Sequence, residues 1–201
     1  MKGKLILGVA AAVLFLTAGV FFLNPPQRRV TSDYPGYDSE ASMVKAADLI
    51  VTGEVQEVRA EKIKILFSEE KTYRNDEDKE LYTISKIKVT DVLKGNVSIG
   101  DVIEVKQMGD GKTLVDTMVK DSGGYFQKGE QKILFLKSFT QHGVPYSVLN
   151  PIQGQYAIQD GRVRACNPSN RLFGSQSLAK GADSAGDTPE AFKQKVKSTM
   201  Q

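Results

Sequence analysis

An unbroken apolar run of 19 residues, LILGVAAAVLFLTAGVFFL at positions 5–23, dictates how the rest of this chain is organised. At about 1.5 Å rise per residue, a helix of that length matches a hydrocarbon core of roughly 30 Å. Lys2, Lys4 and the amino terminus precede the run, and Arg28 and Arg29 follow it. The charge bias places the amino terminus in the cytoplasm and everything after about residue 30 outside. A secretory signal begins in the same way, but its apolar core is shorter and ends in a small-x-small cleavage site. Here the run ends in Phe21, Phe22, Leu23, Asn24 and two prolines, and Thr17-Ala18-Gly19 lies inside it. No cysteine follows that would take a lipid. We therefore expect an uncleaved single-pass anchor, with a cleaved signal and a buried core helix as the alternatives. In either of the first two cases the domain lies outside the cytoplasm, at the cell membrane or secreted.

Charge separates the targeting segment from the domain. Of 27 basic residues, four fall in residues 1–29, which hold no acidic residue; the remainder, 23 basic against 24 acidic, is nearly neutral. The pI near 8.8 thus belongs to the first segment. A nearly neutral domain lacks the basic face that nucleic-acid binding requires. The same balance argues against a strong electrostatic grip on anionic lipid beyond the anchor. Cys166 is the only cysteine, so no intrachain disulfide forms, and we read it as a half-buried residue near a strand end. With one cysteine and one histidine, no zinc site of ordinary stoichiometry can be built.

Residues 24–38, NPPQRRVTSDYPGYD, read as a tether, and residues 39–201 as one domain. Ser39 caps a short helix with Met43, Val44 and Ala47 on one side. Strands are expected over 49–58, with a bulge or bend at Gly53, over 63–67, and over 81–93. In the last of these the apolar phase changes between Tyr82, Ile84 and Ile87, Val89, which predicts a bulge near Ser85 or Lys86. Residues 68–80 form a hairpin loop. Strands 102–105, 133–136, 146–149 and 156–158 follow, with 133–136 central and buried. Asp160-Gly161 predicts a hairpin turn leading to Val163. Pro189 opens a final helix whose stripe Phe192, Val196, Met200 docks on the strands. Many short strands with a helix at each end indicate a mainly β, antiparallel barrel or sandwich.

Three stretches, ADLIVTGEV at 47–55, IKVTDVLKG at 87–95 and GEQKILFL at 129–136, carry a resemblance. In order and spacing, over about residues 40–165, the chain resembles the OB-like barrel of netrin-type modules and tissue inhibitors of metalloproteinases. Small exported proteins of Gram-positive bacteria carry a similar pattern. The resemblance implies a closed five- or six-stranded barrel with flanking helices. It does not carry over zinc chelation, because the inhibitors use a free N-terminal Cys and this chain has a membrane segment there.

No catalytic, cofactor-binding or metal-binding residue is assigned. His142, the only histidine, stands in a turn without a nearby nucleophile or orienting partner. Glu69, Glu70, Asp76, Glu77, Asp78 and Glu80 form a solvated charge run without calcium-loop spacing. Gly109-Asp110-Gly111-Lys112 lacks the spacing of a phosphate loop. With no Trp, Tyr73, Tyr82, Tyr125 and Tyr156 read as wall and rim residues rather than a sugar platform. The expected function is a membrane-anchored extracytoplasmic binding module. Its partners are the membrane, through residues 5–23, and a protein or cell-envelope component met by the loops 68–80, 109–128 and 166–187. The alternatives are a protease-inhibitor-like domain acting without a chelating Cys and a carboxylate-based cell-envelope hydrolase.

Overall fold

A computed structural model describes residues 26–65, 79–139, 141, 143–174 and 186–200. Among these, no helix is long and apolar enough to cross a membrane. The apolar run at 5–23, His142 and most of the 68–80 loop lie outside the described residues.

The fold is mainly β. Its strands are β1 (Arg28–Val30), β2 (Leu49–Ile63), β3 (Glu80–Lys94), β4 (Val102–Met108), β5 (Leu114–Asp116), β6 (Gln131–Lys137), β7 (Tyr146–Val148), β8 (Gln155–Gln159) and β9 (Arg162–Ala165). Its helices are α1 (Glu40–Ala46), α2 (Thr117–Asp121) and α3 (Pro189–Ser198). Seven strands form one sheet in the order β2-β3-β4-β7-β6-β8-β9, and β6 also pairs back on β2. The sheet thereby curls into a partial ring. It is not the closed barrel expected: β7 is three residues long and contributes two residue pairs to β4 and two to β6. The expectation of all-antiparallel pairing also fails at one seam, since β4 and β7 run parallel. That follows from the count: alternating directions cannot be kept around a cycle of five strands, so one pair must run the same way.

The strand expected at 49–58 runs on without a break to Ile63; of the second strand expected at 63–67, Lys64 and Ile65 are not in a strand and residues 66–67 lie outside the described residues. β2 pairs with β3 as far as Ile63 opposite Glu80, and Arg59 ties the ribbon to Glu61 at 2.9 Å and to Glu104 of β4 at 2.8 Å. The expected irregularity at Gly53 is present as a register shift between Thr52 and Gly53. A Cβ there would collide with the Ile87 side chain and sit 2.9 Å from the Lys88 carbonyl, so only glycine lets the strands approach. The second irregularity lies on the other strand from the one expected: Val55 and Glu57 face Ile87 and Lys86, so Gln56 on β2 is the extra residue. β3 keeps an unbroken register with β4. Its phase change arises because Tyr82 and Ile84 face outward into a satellite cluster with Ile65, Met108, Phe139 and Val144, while Ile87 and Val89 face the ring interior.

Two apolar layers share β2 and β6. Leu49, Val51, Leu134 and Leu136 point into the ring with Ile87, Val105 and Phe126. Ile50, Ile133 and Phe135 point to the other face, covered by α1, β9 and α3. Ile133-Leu134-Phe135-Leu136 therefore reads as an uninterrupted apolar run because both faces of β6 are buried. α1 starts as expected, with the Ser39 hydroxyl accepting from Ser42 N and the Ser42 hydroxyl accepting from Ser39 N. α3 begins at Pro189 behind Thr188; Phe192 and Val196 dock, whereas Met200 stays exposed. The β8–β9 turn is at Asp160-Gly161, both with positive φ.

Ser85 points into the ring, fully buried, with no hydrogen-bond partner for its hydroxyl. Replacing it by alanine removes an unsatisfied polar group and is expected to stabilise the domain by about 1 kcal/mol. Urea unfolding of Ser85→Ala checks this; a destabilised variant would show that the hydroxyl is bonded after all.

Candidate functional site

Residues 24–38 were expected to be a tether, yet from residue 27 onward the chain is seated on the domain. β1 runs parallel to β5, Arg28 opposite Leu114 and Val30 opposite Asp116. Arg28 N donates to the Thr113 carbonyl at 2.8 Å, and Thr31 and Thr117 share a hydroxyl bond of 2.8 Å. Further along, Tyr37 N donates to Gln153 Oε1 at 2.9 Å, and Gln153 Nε2 donates back to the Tyr37 carbonyl at 2.7 Å.

β5 is held in turn by a turn that depends on Gly109. Gly109 has φ +86°, and a Cβ on it would clash with the Leu114 carbonyl. Asp110 accepts bonds from the backbone N–H of Lys112, Thr113 and Leu114 and from the Thr113 hydroxyl. Burial pushes its carboxyl up, but these donors outweigh burial and hold it down at about 2. Tyr125 donates its hydroxyl to the Met108 carbonyl at 2.7 Å and accepts from Asp116 N at 3.0 Å. Gly109 to Lys112 is thus a structural turn between two strands.

Together β1, the loop end of the β2–β3 hairpin and the β4–β5 turn line a cavity of about 550 Å³. Arg28, Lys62 and Lys79 line it from three separate segments, with Glu80 as the one carboxylate among the described residues. Ser32 and Thr113 add hydroxyls; Val30, Leu81, Met108 and Leu114 add apolar wall. The Tyr82 hydroxyl donates to Glu80 Oε2 at 3.1 Å. Neither Arg28 nor Lys62 has an ion-pair partner among the described residues.

A second cavity of about 400 Å³ opens between residues 128–132 and 157–159. At its inner wall Lys132 is buried, 3.3 Å from Glu130 and 5.0 Å from the Phe126 ring centroid. Lys132 Nζ also lies 3.9 Å from Cys166 Sγ. Cys166 is a buried free thiol just past β9, and burial pushes its thiol up, which keeps it an unreactive packing group.

The third unusual group is Lys106 on β4, buried with its ammonium 3.9 Å from the Phe139 ring centroid and 5.4 Å from that of Tyr82. Burial lowers its amine to about 8. The cleft beside it, about 10 Å³, holds a water at most.

Carboxylates among the described residues serve structure. Asp48 accepts from Ser138 N and Oγ and from Lys137. Asp91 pairs with Lys193 of α3 at 2.7 Å, and buried Asp116 caps α2 through Met118 N. No group of three or more metal-ligating side chains occurs among the described residues.

Two of the expected contact loops are otherwise built. Residues 109–128 carry β5 and α2 and bury Val115, Val119 and Phe126, so the segment is part of the core. Within 166–187, Leu172 and Phe173 are buried, and residues 175–185 lie outside the described set. Tyr156 is likewise a core ring rather than a rim residue. The basic cavity was missed because its cations lie in the segment read as a tether, between two expected strands and at a loop edge. Comparison of the chain with protein-family models, with curated proteins and with solved structures finds no match.

Proposed function

We propose that this chain is a membrane-anchored extracytoplasmic binding module, held by residues 5–23, whose domain is an OB-like barrel and does no chemistry. The observation that carries the reading is the seating of β1. By Arg28 the chain lines one wall of a polar cavity, five residues after the apolar run, which supports an anchor on the cavity's side of the domain. The OB-like reading is supported by the cycle β2-β3-β4-β7-β6-β2 with its parallel β4–β7 seam and its partly open wall. A binding rather than catalytic role is supported by where the perturbed groups lie. Lys106 and Tyr156 are packed inside apolar clusters rather than facing a space that admits a substrate.

The anchored reading is tested on cells carrying the full chain with a C-terminal tag. The expected result is a protein that resists alkaline carbonate extraction, retains its N-terminal residues, and loses its tag to protease added outside. A tag protected from that protease, or a soluble chain beginning after residue 23, overturns it.

A further inference from the structure

The cavity beside β1 combines features that single out one class of ligand. Arg28 and Lys62 bring a guanidinium and an ammonium to a cavity whose described lining holds one carboxylate, that of Glu80, which is already engaged by Tyr82. Arg28 and Lys62 have no ion-pair partner among the described residues. Ser32 and Thr113 offer hydroxyl donors at the same cavity. Such a donor set matches a tetrahedral phosphate oxyanion, which takes a planar guanidinium fork on one edge and ammonium or hydroxyl donors on the others. Val30, Leu81, Met108 and Leu114 complete the wall with apolar surface that a free inorganic ion would leave unused. An amphiphile would use both.

Position supplies the second argument. Arg28 is five residues beyond Leu23, the end of the apolar run. Fully extended, those residues reach at most about 17 Å. A headgroup layer is roughly 5–8 Å deep on each side of the hydrocarbon core. The chain is too short to lift the cavity far from the lipid surface.

We infer that this cavity binds the phosphate of an anionic phospholipid headgroup, with Arg28 and Lys62 as its principal contacts. The inference rests on the anchored reading above for its choice of a lipid source. The near-neutral balance counted after residue 29, which argued against a grip on anionic lipid, leaves out Arg28, and Arg28 meets Lys62 and Lys79 only in the fold.

The test uses the full chain in neutral detergent. Dihexanoyl phosphatidylglycerol, dihexanoyl phosphatidylcholine and glycerol 1-phosphate are titrated separately by calorimetry. Binding of the first, much weaker binding of the second, and a loss of roughly tenfold affinity per cation in Arg28→Gln/Lys62→Gln are expected. Lys128→Gln, at the other cavity, should bind like the parent. The double variant should melt within a few degrees of it, since both side chains are without ion pairs among the described residues. Glycerol 1-phosphate binding as tightly as the lipid, and equally sensitive to the double variant, would keep the phosphate site and reject the lipid source. No binding of either anion, or binding that the double variant leaves unchanged, overturns the site. A chain that is released in the carbonate extraction yet still binds phosphatidylglycerol separates failure of the anchored reading from failure of the site.

Discussion

Phe192→Ala is expected to destabilise the domain by about 3–5 kcal/mol. Phe192 is 1% exposed and closes an aromatic cluster, its ring centroid 4.6 Å from that of Tyr156 and 5.2 Å from that of Phe173. Phe173 in turn meets Phe135 of β6 at 5.5 Å. α3 has few other attachments: Val196 in the same layer, and the Lys193–Asp91 ion pair at its edge. The pair is partly solvated and contributes at most about 1 kcal/mol. Truncation leaves a void that rings fixed to three other elements cannot collapse to fill. Urea denaturation with matched m-values measures the loss, and the Lys193→Ala variant serves as the comparison. A Phe192→Ala cost no larger than that of Lys193→Ala would mean that α3 is not part of the cooperative unit.

The second large effect concerns pH. Lys106 has an amine lowered by burial to about 8 in the folded domain, against 10.5 when unfolded. Below pH 8 both states are protonated, and folding bears the full cost of burying the ammonium. Between pH 8 and 10.5 the folded state has lost the proton and the unfolded state keeps it, so this group makes stability rise with pH. Over the whole interval the gain is roughly 3 kcal/mol. Lys106→Met places an unbranched apolar chain among Ile84, Met108 and Phe139, sacrificing the ring contacts of the ammonium. The variant should be about 2 kcal/mol more stable at pH 7 and should lack the rise toward pH 9.5. The comparison stops there because burial and Glu80 push Tyr82 up, so unfolding is favoured by tyrosine ionisation at higher pH. Parallel pH dependences for parent and variant would show that Lys106 is charged and well solvated.

Local chemistry announced itself in the sequence where one residue suffices to decide. Ser39 had to cap, Asp160-Gly161 had to turn, Pro189 had to start a helix, and Gly53 had to disturb a strand. Ile133 to Leu136 showed a strand buried on both faces. What escaped were features set by two segments together. The phase change in β3 looked like an extra residue in that strand, because nothing local reveals that Tyr82 and Ile84 are roofed by Phe139 and Val144. The actual extra residue, Gln56, sits across the ladder. Lys106 lies in Glu104-Val105-Lys106-Gln107, where the apolar-polar alternation assigns it to solvent. The roof that excludes water comes from residues more than 30 positions later. The cavity cations illustrate the same limit: Arg28, Lys62 and Lys79 share a site only because β1 lies along β5 and the long hairpin returns to that side.

The β1–β5 pairing also imposes an order of events. Among the described residues, β1 pairs with a strand about 86 positions downstream, and Tyr37 waits for Gln153. During synthesis residues 28–37 emerge before the residues they pair with exist. The β2–β3 hairpin, local and long, is positioned to form early; residues 28–37 can be fastened only after residues 114–153 have emerged. Residues 28–37 are therefore fastened late, and a chain interrupted part-way would carry them as loose cord, with the β1 wall of the cavity still unbuilt.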